Sequence, residues 1–62
     1  MMLSSRIILA VEVLNLARHM DAVASDMIGS DNDEIREHGR ELRRASRQAQ
    51  GWGQGMMGEV VP

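Results

Sequence analysis

Leu9, Val13, Leu16, Met20, Val23 and Met27 recur at alternating intervals of four and three residues. At about 100° per residue this spacing gathers them into one stripe along a helix, the pattern of a coiled-coil seam. Ser4 and Ser5 are good N-caps, and no Gly or Pro interrupts the chain from there to Met27. The spacing therefore predicts a first helix over 5–28. Ile7, Ala10, Val11, Leu14 and Ala17 add a second apolar surface in its first half, where only Glu12 and Asn15 are polar between Ile7 and Ala17. One neighbouring helix cannot cover both surfaces.

Gly29 supplies a C-cap signal, and Ser30, Asp31 and Asn32 offer side chains that cap a following helix. Asp33 and Glu34 suit the positive first turn of that helix, and Arg43, Arg44 and Arg47 suit its negative end. The second helix is predicted over 32–50, stopping at Gly51. Ile35, His38, Leu42, Ala45, Ala49 and Trp52 repeat the heptad spacing in a narrower, poorer apolar stripe.

A turn near residue 30 folds the two stripes onto each other as an antiparallel hairpin. Ile35 then meets Val23 and Met27, Leu42 lies near Leu16 and Met20, and Ala49 lies near Val13 and Leu9. Gly39, Ala45 and Ala49 allow close approach, and Trp52 closes the open end over Leu9. The fold class is all-α: a helical hairpin over 1–50 and a flexible Gly/Met-rich tail over 51–62. Four of the six glycines fall within the tail, which argues against helix there, while Met56, Met57, Val60 and Val61 give it adaptable apolar character.

Length sharpens the picture. A chain of 62 residues with one tryptophan and no Phe or Tyr cannot enclose a large core, and without cysteine no disulfide can staple it. A second copy is the remaining staple. The surplus apolar surface of Ile7, Ala10, Val11, Leu14 and Ala17 is the expected dimer interface, and the product is a four-helix-bundle-like homodimer. The apolar run Ile7 to Leu14 followed by Ala22-Val23-Ala24 loosely imitates a signal peptide, but Glu12 and Asn15 interrupt the run and Arg18, His19 and Asp21 crowd the cleavage region. The run is also shorter than the roughly 18 to 20 residues that cross a bilayer. A cytoplasmic core helix is the better reading, with no membrane role.

The chain has seven basic side chains, all arginine, and five of them fall within 34–48. Arg36, Arg40, Arg43, Arg44 and Arg47 share a sector opposite the Ile35, Leu42 and Ala49 stripe. Asp33, Glu37 and Glu41 fill the next sector, where Glu37 can reach Arg40 and Glu41 can reach Arg44. The ridge reads either as a solvated, salt-bridged face or as a docking surface for an acidic protein groove or RNA phosphates, since arginine suits bidentate recognition. With Trp52, Met56 and Met57 it makes up the candidate partner-binding set. The net charge of −2 and sequence pI of about 5.5 argue against a surface built throughout for phosphates.

Nothing points to catalysis, a cofactor, a metal or a small-molecule substrate. His38 falls within an apolar stripe and His19 away from the seam, neither with a second ligand at zinc-site spacing. Ser25, Ser30 and Ser46 have capping or surface roles, and the basic pattern before Ser46 is a chance-level kinase match. Two functions follow. The first is a non-enzymatic homodimer that binds and modulates an unidentified partner protein, such as a mobile-element or phage-type antagonist of a host regulator. The second is an RNA-binding hairpin dimer that uses the arginine ridge. In length and plan, though in no residue motif, the chain resembles the plasmid RNA-binding hairpin dimer known as repressor of primer. That resemblance implies an RNA partner, against which stand the acidic balance and the lack of aromatic stacking platforms.

Overall fold

The computed structural model describes residues 5–58, which form two helices, α1 (Ser5–Ile28) and α2 (Asp33–Gly58), packed against each other along their length. Ser4, a capping candidate, and Val60 and Val61 at the end of the tail lie outside the described residues. The bounds of α1 agree with the uninterrupted run of helix-compatible residues. The turn that follows is tight. The Gly29 amide donates to the Ser25 carbonyl at 3.1 Å and the Ser30 amide to the Met27 carbonyl at 3.1 Å. Gly29 does not adopt a positive φ, so its freedom to be left-handed is not what ends the helix. Asn32 is the N-cap of α2: its Oδ1 accepts from the Ile35 amide at 3.1 Å, and its carbonyl accepts from the Arg36 amide at 3.0 Å. Ser30 Oγ in turn accepts from the Asn32 amide at 3.1 Å.

The contact between the helices is made of small residues. Ala10, Ala17 and Ala24 on α1 are buried, and so are Gly39, Ser46 and Gly53 on α2. Each set repeats every seven residues, so each forms a straight line along its helix. The two lines face one another. Ser46 Oγ donates to the Ala17 carbonyl at 2.8 Å. A Cβ on Gly53 would lie 2.7 Å from Leu14 side-chain carbons and 3.3 Å from the Ala10 carbonyl oxygen, and one on Gly39 would lie 2.8 Å from the Met27 Cβ. At Gly39 the facing turn of α1, and at Gly53 the Leu14 side chain together with the Ala10 carbonyl, leave as they stand room only for hydrogen.

Two expectations are corrected here. The stripe Leu9, Val13, Leu16, Met20, Val23 and Met27 does not pack onto the stripe Ile35, His38, Leu42, Ala45, Ala49 and Trp52; the alanine line meets the Gly/Ser line instead, in a register displaced by close to one helical turn. Small residues win because they let two main chains come together, and large side chains on both helices would hold them apart. The expected break at Gly51 is also absent. α2 runs on to Gly58 because its last turns pack on the N-terminal half of α1, with Gly53 against Leu14 and Ala10, and that packing outweighs the poor helix propensity of glycine.

Candidate functional site

Helical geometry fixes where the remaining side chains go. On α1, the stripe from Leu9 to Met27 is centred some 80° to one side of the alanine line, and on α2 the stripe from Ile35 to Trp52 is turned by a similar angle from the Gly/Ser line. The helices are antiparallel, so equal rotations in sequence sense turn both stripes to the same face of the hairpin. Two seams that read as mutual partners therefore lie side by side, as one apolar surface spanning both helices. Leu9 (52% exposed), Leu16 (55%), Val23, Ile35 and Trp52 (61%) stand out from it. Val13, Met20, Met27, Leu42 and Met56 are half-buried between them. His38 is the polar member of this surface, with Nε2 3.8 Å from a Glu34 carboxylate oxygen.

The opposite face is polar. Arg43 reaches across the helix pair to Asp21, with Nε 3.3 Å from Oδ1, and its other end donates to the Ser25 hydroxyl. Arg18, Asp21, Arg43, Arg47, Gln50 and Gln54 line an open groove there, floored by Ser46 and walled by Leu14. Arg18, which comes from α1, was missed by a reading confined to the arginine cluster of α2; only the register across the turn brings it beside Arg47.

The arginines of the expected ridge have divergent roles. Arg36 pairs with Asp33 and donates to the Ser30 carbonyl at 2.9 Å, fastening the turn. Arg40 pairs with Glu37 at 3.0 Å, as the i,i+3 spacing suggested. Arg43 is a tie between helices rather than a free donor for a partner. Arg44 and Arg47 make no ion pair among the described residues, and the anticipated Glu41–Arg44 pair is not formed.

The chain matches no family model, no curated protein and no solved structure. Any functional reading rests on the geometry of these two faces. No helix among the described residues is long and apolar enough to cross a membrane, and no group of His, Cys, Asp and Glu among them could hold a metal ion.

The surface assigned from sequence to a second copy needs correction. Ala10 (0% exposed) and Ala17 (3%) are inside the hairpin, consumed by the chain's own second helix. Leu14 lies over Gly53 and Ile7 is half-buried, which leaves Val11 alone of the five exposed, away from the shared apolar face. Trp52 does not seal the end of a core; it stands exposed on that face, and Met56 and Met57 lie on the last turns of α2 rather than in a loose tail.

Proposed function

We propose that the chain is a non-enzymatic interaction module that works as a homodimer and binds and modulates a partner protein, in the manner of a small antagonist of a regulator. The observation that supports this most is the division of one hairpin into an uncovered apolar face and, on its reverse, a groove edged by arginines. The first is suited to assembly. The second is suited to an acidic partner, since Arg18 and Arg47 in the groove and Arg44 beside it have guanidiniums to offer, with the amides of Gln50 and Gln54 next to the first two.

The second reading, RNA binding, draws on the same groove, where cationic and amide side chains from two helices could follow a phosphate backbone. The net charge of −2 and the single aromatic side chain favour the protein partner. The test compares the natural chain with a triple Arg18, Arg44 and Arg47→Gln variant, both used to capture partners from lysate and then titrated by calorimetry against the captured species. The proposal expects a protein bound by the natural chain and lost by the variant, with helix content unchanged. Equal affinity of the two chains overturns the assignment of the arginine groove. Capture of RNA, with affinity falling steeply as salt rises, overturns the protein reading in favour of the second.

A further inference from the structure

We infer that the apolar face shared by α1 and α2, centred on Leu9, Leu16, Val23, Ile35 and Trp52, is the surface on which a second copy of this chain docks, face to face, to make a four-helix bundle. This deepens the homodimer reading and rests on it, but it moves the interface to the opposite side of the hairpin from the Ile7, Val11 and Leu14 surface.

Three observations commit the face to a second copy. The first is the poverty of the interior. Among the described residues the buried apolar side chains are Ala10, Ala17, Ala24 and Ala49, and no large side chain is fully buried. Two helices side by side form one layer, and a stable domain of this size needs a second layer over its apolar side. Five large apolar side chains are left in water on that side, in a chain without cysteine.

Area is the second. The chain exposes 4758 Å², whereas a compact monomer of 6.9 kDa exposes about 4,000 Å². The surplus, roughly 760 Å² summed over the whole chain rather than over this face alone, is of the same order as the ~800 Å² that each partner contributes to a stable interface of standard size.

The third is spacing. The α1 stripe presents large apolar residues at alternating intervals of four and three, and the α2 stripe keeps that spacing with Ile35, Leu42 and Trp52 as its large members and His38, Ala45 and Ala49 between them, the spacing whose side chains interlock when helices pack slightly off parallel. An identical hairpin carries the matching pattern in both chain directions, so a two-fold axis through the face satisfies every stripe at once. The charges at the rim argue against an anionic lipid surface, since Glu12, Glu34 and Glu41 flank the face and the arginine groove is on the reverse. In the dimer those carboxylates approach their copies at the solvated edge, where repulsion is weak beside the burial of the large side chains.

The single tryptophan makes the inference directly measurable. Sedimentation of the full natural chain over a range of concentrations, with Trp52 fluorescence followed in parallel, should show a dimer at twice 6.9 kDa and a blue shift of emission as association removes Trp52 from water. Leu16→Glu should raise the dissociation constant about 100-fold or more, because it places an unpaired carboxylate in the interface. Val11→Glu, which changes an exposed apolar residue off the face, should leave the dimer intact. A dimer broken by Val11→Glu and indifferent to Leu16→Glu would overturn the face while sparing the homodimer. A helical monomer at all concentrations overturns both, and a blue shift seen only on adding phosphatidylcholine–phosphatidylglycerol vesicles assigns the face to a lipid surface instead. If Leu16→Glu fails to fold, the concentration dependence of the natural chain's emission still decides: no shift across the dimerisation range rejects the face.

Discussion

Ser46 Oγ on α2 lies 2.8 Å from the main-chain carbonyl oxygen of Ala17 on α1 and donates its hydrogen to it, buried midway along the helix contact. The bond holds the register of the hairpin at its centre, at a place where the backbones are too close for a larger side chain. Ser46→Ala preserves the fit and removes one hydrogen bond to a carbonyl that keeps its place in the helix, so it should cost about 0.5–1.5 kcal/mol. Ser46→Leu keeps helix propensity but forces the helices apart, and should cost about 1–3 kcal/mol or more. Urea unfolding followed by circular dichroism, at one fixed protein concentration, measures both.

The glycines of α2 separate into two kinds, and alanine substitution should tell them apart. A Cβ at Gly51 or Gly55 meets nothing within 4 Å, so each Gly→Ala there should stabilise by about 0.5–1 kcal/mol through propensity alone. At Gly39 the added carbon would lie 2.8 Å from the Met27 Cβ and 3.0 Å from the Ile28 amide nitrogen, atoms fixed to the backbone, so Gly39→Ala should destabilise by about 1–3 kcal/mol. Gly53→Ala should lie between, because the Leu14 side chain can turn aside while the Ala10 carbonyl cannot. Thermal melts of the four variants should rank in that order.

Asn32→Ala should cost about 1 kcal/mol, since its Oδ1 satisfies the Ile35 amide at the start of α2. The local signature is faster hydrogen exchange at the Ile35 amide, with the centre of the helix contact unchanged.

Arg43→Gln should destabilise by less than about 1 kcal/mol and lose most of that effect in high salt, because the tie to Asp21 and Ser25 is partly exposed. Arg40→Gln, whose partner Glu37 is on the same helix, should fall within about 0.5 kcal/mol of the natural chain. Chemical unfolding at low and high salt distinguishes the two.

Local signals carried much of this architecture. An unbroken run from Ser5 to Ile28, free of Gly and Pro and with apolar residues at helical spacing, reads as a helix, and the polar cluster Ser30 to Glu34 contains the capping side chain that starts the next one. The exposure of Arg40, Arg44 and Arg47 was likewise legible, since an arginine stays in water unless a buried partner takes its charge.

What the residues could not reveal one helix at a time is which stripe turns inward. Periodicity is a property of a single helix, and α1 presents both a large-residue stripe and an alanine stripe that satisfy it; the choice depends on how well two helices fit together. Ala10, Ala17 and Ala24 against Gly39, Ser46 and Gly53 permit main-chain contact and a hydrogen bond between helices, whereas Leu9, Leu16 and Val23 against Ile35, Leu42 and Trp52 would keep the helices apart. The same fit carries α2 through Gly51, Gly53 and Gly55, where propensity alone would end it. The sequence by itself determined two helices, their turn and their apolar spacing, because those follow from local bonding and hydration. Tertiary structure decided the azimuth, the register and the length of α2, because close packing is a relation between two surfaces and neither helix encodes it alone.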